Sequence, residues 1–456
     1  MDYNQMIYFL LLFSLVCSTT PSSLHLSSLD DDNDNLESST NFIQSIKGKL
    51  AWTYSFLKYM MLPTIIMHNY SVGSEVPEIY LDSAQLLAKN GYDWEAHVVE
   101  TEDGYLLTVY RIMGSEKSPK KPGKPVVIAQ HGLGGCSEDF LSLNTDQALG
   151  YIFADEGFEV WLPNSRGNAA SRAHMYINAD NSTFWKFSFN EIGVYDLAAV
   201  INYAIKTTGQ KKVFYIGFSQ GSTSFFAMMS ERPEFNDKVA MMFSYAPCVY
   251  VNYATSPILQ AIGTFTNFIY IIEKLFGVDE VSATSQLSTF KLTKLVCLSY
   301  TPIQILCYNT AFMILGYDMQ SLNKTTFPTI LQHTPSGTSL QAYAHFGQLL
   351  KSGEFKKFDY LSPSINRQHY NQSSPPHYNL GNIKIPMVLF HGQNDWISNR
   401  KEIERLSKEL SNVEVHIIDY ELFTHFDYVY ALNAREQVYQ PTINRIRNYV
   451  NAQQLD

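Results

Sequence analysis

The stretch from Val213 to Ser222, VFYIGFSQGS, constrains the fold of this chain more than any other. Val213 to Ile216 is apolar and partly β-branched, as a buried parallel strand requires. Gly217-Phe218-Ser219-Gln220-Gly221 then fits G-x-S-x-G, and Thr223 to Met229 (TSFFAMM) reads as the start of a buried helix. A serine at a sharp strand-to-helix turn is held in a strained backbone conformation with its hydroxyl above the sheet, and the glycines leave room for strand and helix to approach. Five-residue patterns recur by chance. The strand before and the helix after are what make Ser219 a candidate nucleophile rather than part of a bland strand-turn-helix junction.

The surrounding chain has a matching rhythm. Trp94 to Glu100 and Tyr105 to Ile112 alternate in the strand period around Glu102-Asp103-Gly104, which predicts a hairpin. Short strands are predicted at Val126 to Gln130, Phe158 to Leu162, Val239 to Tyr245, Met387 to Phe390 and Val413 to Ile418. Helices are predicted at Ser83 to Asn90, Gln147 to Glu156, Phe189 to Thr208, around Leu406 to Leu410, and at Glu436 to Val450. Such alternation implies an α/β fold, a mainly parallel sheet with helices on both faces. The rhythm stops between Val249 and Leu380, where the pattern is largely helical. An insertion there is expected to cap the carboxyl ends of the strands, where ligands bind in open α/β sheets. The expected organisation is a signal peptide at 1–19, a linker or propeptide with an apolar segment at 20–75, a core of 76–248 with 381–456, and a cap and lid at 249–380.

At 456 residues there is room for one large domain with an insertion, or for two domains. The net charge of −10 argues against nucleic acid, whose binders carry a basic face. Met6 to Val16 is an apolar run followed by small residues, which reads as a secretory signal although Asp2 stands where a positive residue is usual. Ser27 to Thr40 is acidic and Ser-rich, as a mobile linker would be. Asn41 to His68 is apolar at its centre and interrupted by Pro63; it either packs on the globular domain, is clipped off, or lies on a membrane. Four glycosylation sequons, at Asn69, Asn181, Asn323 and Asn371, fit a secretory route. Cys136, Cys248, Cys297 and Cys307 are too few for a disulfide scaffold, though Cys297 and Cys307 could bridge in an oxidising compartment. No Cys/His cluster suggests a metal, and no cofactor is expected.

A serine hydroxyl is almost wholly protonated near neutral pH, so Ser219 needs a base, usually a histidine oriented by a buried carboxylate. On this kind of sheet the order is Ser, then Asp or Glu, then His, in loops after strands. Asp395 follows one late strand in His391-Gly392-Gln393-Asn394-Asp395, and His425 follows the next in Phe423-Thr424-His425-Phe426-Asp427. His416 lies within a strand and His391 comes too early; Asp419 and Asp427 are alternative acids in the histidine's own loop region. A tetrahedral oxyanion needs two N–H donors. Gln220, heading the helix after Ser219, supplies one; Leu133, in His131-Gly132-Leu133-Gly134-Gly135, supplies the other. Two stretches of the insertion, Ile258 to Phe276 and Ile303 to Leu315, are apolar nearly all round. They are either simply buried or line an acyl-chain pocket.

With these residues in place, the chain from about Pro77 to Val450 resembles the acid lipase family of α/β-hydrolases. The likeness is carried by Val99-Glu100-Thr101-Glu102-Asp103-Gly104-Tyr105, His131-Gly132-Leu133, Asn164-Ser165-Arg166-Gly167-Asn168, Ser219-Gln220-Gly221, and His425 with Asp427. The resemblance implies a Ser219–Asp395–His425 triad, oxyanion donors at Leu133 and Gln220, and a lid disulfide between Cys297 and Cys307. It also implies hydrolysis of a lipid ester at a lipid–water interface, with peripheral or transient membrane contact, by a monomer that is secreted or lysosomal. A carboxylesterase for small or sterol esters, or a non-catalytic lipid-binding protein on the same scaffold, are the alternatives. Phe218 is a departure: the family usually has histidine before the nucleophile.

Overall fold

Short apolar runs separated by helical segments become one eight-stranded sheet. The computed structural model describes residues 81–257, 279–281, 315–318, 320–321 and 327–453, with 259–260 and 263–264. In chain order these form α1 (Ser83–Lys89), β1 (Asp93–Glu100), β2 (Leu106–Gly114), β3 (Val126–Gln130), α2 (Leu149–Asp155), β4 (Glu159–Pro163), α3 (Ala198–Thr208), β5 (Val213–Phe218), α4 (Gln220–Glu231) and β6 (Val239–Tyr245). There follow β7 (Glu280–Val281), α5 (Phe327–His333), β8 (Thr338–Ser339), α6 (Leu340–Ser352) and α7 (Pro363–Tyr370). The chain then re-enters the sheet with β9 (Met387–His391), α8 (Arg400–Glu409), β10 (Val413–Ile417), α9 (Asp427–Tyr430) and α10 (Gln440–Gln453). The chain divides into units 1–76 and 77–456, and all described residues belong to the second.

The sheet order is β1-β2-β4-β3-β5-β6-β9-β10. Strand β2 runs antiparallel to both neighbours, and every other pair is parallel. Successive residues of a strand face opposite sides, and the core divides accordingly. Val126 and Ile128 of β3, Val213 and Tyr215 of β5, and Met387 and Leu389 of β9 pack with Val200 and Ile201 of α3 and Phe225 and Met228 of α4. Their neighbours Val127, Ala129, Phe214, Ile216, Val388 and Phe390 pack with Tyr151 and Phe153 of α2 and Ile443 and Ile446 of α10. Each large side chain so buried contributes roughly 1.5–3 kcal/mol, so the central strands, β5 among them, are held from both faces.

The sequence places the sheet strands within a residue or two. Strand β4 is Glu159–Pro163, and β9 extends to His391, so that histidine ends a strand instead of beginning a loop. The helical run from Phe189 to Thr208 widens into π-type turns over Ile192–Leu197. Gly193 lies there against α4: a Cβ on it would meet the Ser224 carbonyl oxygen at 2.2 Å. The last helix starts at Gln440, after a similar widening over Arg435–Tyr439, and not at Glu436. Asn181 and Asn371 are both exposed. Asn69, Asn323, Cys297, Cys307, the leader and linker, and most of the two apolar stretches of the insertion lie outside the described residues.

Candidate active site

The site is built on the carboxyl ends of β3, β5, β6 and β9 and the loop after β10. Ser219 directly follows β5 with φ 53° and ψ −116°, a left-handed conformation that costs a non-glycine residue of order 1–3 kcal/mol. The surroundings hold it there. Its N–H donates to the Tyr245 carbonyl of β6 at 2.9 Å, and its own carbonyl accepts from Ser222 N–H at 2.9 Å. The flanking glycines are sterically required. A Cβ on Gly217 would sit 2.7 Å from Ser222 N, and one on Gly221 would sit 2.5 Å from the Gln130 carbonyl oxygen of β3.

The strained turn aims the hydroxyl at His425. Ser219 Oγ lies 2.9 Å from His425 Nε2, and His425 Nδ1 lies 3.0 Å from Asp395 Oδ2 and 3.1 Å from Oδ1. All three fit one tautomer, in which Nδ1–H donates to the carboxylate and Nε2 accepts from the serine. Asp395 is buried, and its Oδ1 also accepts from the N–H groups of Ile397 (2.9 Å) and Ser398 (2.8 Å). Two further supports set the histidine. Its backbone N–H donates to the Leu315 carbonyl at 3.1 Å. Asp427 Oδ2 accepts from Thr424 N–H at 2.7 Å, which closes the loop around it. Asp427 is therefore a brace for the loop and not the acid of the relay. Burial, with Asp318 nearby, pushes its carboxyl up to about 7.

Among the other histidines, His416 sits half-buried in β10 beside Arg445. His391 is buried at the end of β9, where desolvation lowers its basicity. Neither reaches Ser219. His131 instead holds two backbone segments together. Its Nε2 accepts from Ser165 N–H at 3.1 Å, so Nδ1–H donates to the Gly132 carbonyl at 2.8 Å. Burial holds it neutral, with its pKa pushed down to about 4.

This bond fixes the start of the Gly132–Gly135 loop beside Ser219; a Cβ on Gly132 would lie 3.3 Å from Ser219 Cβ. Leu133 follows in that loop. Gln220 is the first residue of α4, so its N–H has no carbonyl one turn back within the helix to occupy it. A hydroxyl that can pass its proton to a carboxylate-held imidazole, beside two loops rich in N–H groups, is equipped for attack on a carbonyl.

Two neighbours of the nucleophile complete its surroundings, one of them, Cys248, not marked by the sequence pattern. Cys248 Sγ lies 3.7 Å from Ser219 Oγ, and the Phe218 ring packs against the His425 ring at 5.4 Å. Cys248 lies three residues past the end of β6, and position near a strand's carboxyl end is the one signal that could have marked it. Arg166, within Asn164-Ser165-Arg166-Gly167-Asn168, is buried away from the relay. It is paired with Asp103 and Asp196 and lies 3.9 Å over the Tyr105 ring.

The chain matches two family models, a partial alpha/beta-hydrolase lipase region over residues 83–144 and the alpha/beta hydrolase fold over residues 125–427. It is 36% identical over 376 residues to gastric triacylglycerol lipase of Rattus norvegicus, covering 82% of this chain and 93% of that one. It is 35% identical over 390 residues to lysosomal acid lipase/cholesteryl ester hydrolase of Macaca fascicularis, covering 84% and 96%. Lipase 1 of Drosophila melanogaster is 36% identical over 360 residues, covering 78% and 77%. With the family model spanning well over half the chain and relatives this similar along nearly their whole length, the protein belongs to the acid lipase family of α/β-hydrolases and is a lipase-type carboxylic ester hydrolase.

Proposed function

We propose that the protein is a serine hydrolase of neutral lipid esters, triacylglycerol or cholesteryl ester, that works through an acyl-enzyme. The observation that carries this is the continuous Ser219–His425–Asp395 hydrogen-bond relay, with Ser219 in a strained turn at a strand end. Ser219 Oγ attacks the ester carbonyl carbon as its proton passes to His425 Nε2. Asp395 steadies the imidazolium, and the Leu133 and Gln220 N–H groups receive the oxyanion. His425 then protonates the departing alcohol. Water, deprotonated by the same nitrogen, attacks the acyl-enzyme, and the acid leaves as Ser219 regains its proton. No metal or cofactor enters any of these steps.

The neutral-lipid assignment is supported by the names of the relatives and by the apolar sequence of the insertion, which suits an acyl-chain pocket. The predicted leader and the sequons support a secreted or lysosomal setting. An ester series from acetyl to oleoyl, run with triolein and cholesteryl oleate, tests the substrate class. Long acyl chains should be preferred in kcat/KM. A preference for acetyl or butyryl esters would instead make this a short-chain carboxylesterase.

A further inference from the structure

The Gly132–Gly135 loop contains three glycines and so has little side-chain packing of its own to hold it. Glycine backbone is also the most expensive to order. A donor in such a loop must still be held to within about half an ångström to stabilise a transition state. The His131 side chain fixes the near end of the loop. The far end rests on Asp139.

Asp139 is buried, and a Cβ on Gly135 would fall 2.3 Å from its Oδ2, so the carboxylate lies directly against the loop backbone. Its surroundings draw on three parts of the chain. Oδ2 accepts from Cys136 N–H at 3.2 Å, closing the loop itself. Oδ1 accepts from the Thr334 hydroxyl at 3.2 Å, in the insertion. The Tyr430 side chain, in the helix that follows His425, lies beside it as well. The insertion touches the loop a second time, where Ser336 N–H donates to the Gly134 carbonyl at 2.7 Å. Among the described residues these partners are all uncharged, and a buried carboxylate without a cation is costly to keep. An apolar or amide side chain would be cheaper if it had only to fill space.

We propose that Asp139 is a positioning residue for ester hydrolysis, its carboxylate fixing the loop that presents Leu133 N–H and tying that loop to the insertion through Thr334 and to the His425 segment through Tyr430. This rests on the reading of Leu133 as an oxyanion donor. The ionised carboxylate is the form that accepts from the Cys136 N–H, the Cys136 thiol at 3.8 Å and the Thr334 hydroxyl together; protonation turns one accepting oxygen into a donor and loosens the loop. Burial, with Glu138 adding, raises this carboxyl to about 6. The groups around it are Glu138 and Cys136 in its own turn, His131 across Gly135, Tyr430 after His425, and Thr334 with His333 in the insertion.

The test is Asp139→Asn, which cannot ionise, assayed on a soluble short-chain ester from pH 5 to 7. The ratio of wild-type to variant kcat should rise from near one at pH 5 to about ten-fold or more at pH 7, toward the loss expected for an oxyanion donor. KM should not change. Affinity for a boronic acid, whose tetrahedral adduct uses the same donors, should fall in step with kcat. A ratio constant across the pH range, or wild-type activity throughout, overturns the proposal. Thr334→Val removes only the hydrogen bond from the insertion and decides the matter if Asp139→Asn does not fold: kcat should fall several-fold at pH 7 with KM unchanged, and an unaltered kcat overturns the proposal. Wild-type protein that neither hydrolyses the ester nor reacts at Ser219 overturns the parent reading instead, so the two failures are distinguishable.

Discussion

Ser219→Ala is expected to lower kcat for ester hydrolysis by on the order of a million-fold while leaving the fold intact. The size follows from the relay acting as a unit. Once Oγ is gone, His425 has no proton to accept and no acyl-enzyme can form. His425→Ala should cost about as much, and the double variant little more, because either change alone disables the same step. Asp395→Asn should cost on the order of ten thousand-fold by a different route. Its Oδ1 can still accept from Ile397 and Ser398, so the loop survives. The amide NH2, however, then faces His425 Nδ1 and favours the tautomer with the proton on Nε2, which cannot take the serine proton. Single-turnover rates on a chromogenic ester, with thermal melts of each variant, check all three. A Ser219→Ala variant that retains more than a percent of wild-type turnover contradicts the mechanism.

The protein is expected to unfold at a higher temperature at pH 5 than at pH 7.5. Four buried carboxyls are raised by desolvation: Asp139 and Asp196 to about 6, Glu402 and Asp427 to about 7. Their folded values lie above their unfolded ones, so folding takes up protons. The stability they contribute is fully present below the unfolded values and is lost as pH rises through 6 to 7. Two buried imidazoles work the other way. His131 is lowered to about 4 and His345 to about 3, so their contribution is present above the unfolded value of about 6.5 and is lost as pH falls. His391 is lowered in the same sense.

Each group is worth about 1.4 kcal/mol per pH unit inside its window. Between pH 7 and 5 the four carboxyls outweigh the imidazoles, which should raise the melting temperature at pH 5 by a few degrees. Below about pH 4 the carboxylates whose folded values are lowered, half-buried Asp103 and buried Glu138, lose their contribution as they are protonated, and the melting temperature should fall again. Glu402 offers the cleanest dissection. Its Oε1 accepts from Tyr253 N–H at 2.6 Å, a bond glutamine can keep. Glu402→Gln should therefore erase most of the difference between the two pH values. A wild-type melting temperature higher at pH 7.5 than at pH 5 contradicts this assignment of buried protons.

Much of the site was legible because it is encoded locally. Ser219 is marked by a strand, two glycines and a helix within seventeen residues, Val213 to Met229. Asp395 and His425 are marked by their order and by the strands that precede them, and His131 to Gly135 by its glycines. The missing parts are contacts between distant segments. Cys248 meets Ser219 only because β5 and β6 end side by side. Asp139 gains its partners only when residues from the insertion and the His425 segment close over it. Gly193 reads as an ordinary helix residue until Ser224 of α4 is placed against it. The widened turns at Ile192–Leu197 were invisible for the same reason, since periodicity cannot register one helix making room for another. Asp427, one of the alternative acids, was separated from Asp395 only by geometry, for its carboxylate turns back to the backbone of its own loop.

The central claim, that Ser219 is a nucleophile activated by His425, is tested most directly by labelling the folded protein with a fluorophosphonate and locating the added mass by peptide mass spectrometry. One phosphonyl group on Ser219, absent from His425→Ala protein of unchanged fold, is the result the relay predicts. Folded wild-type protein that takes no label, or takes it on a residue other than Ser219, would contradict it.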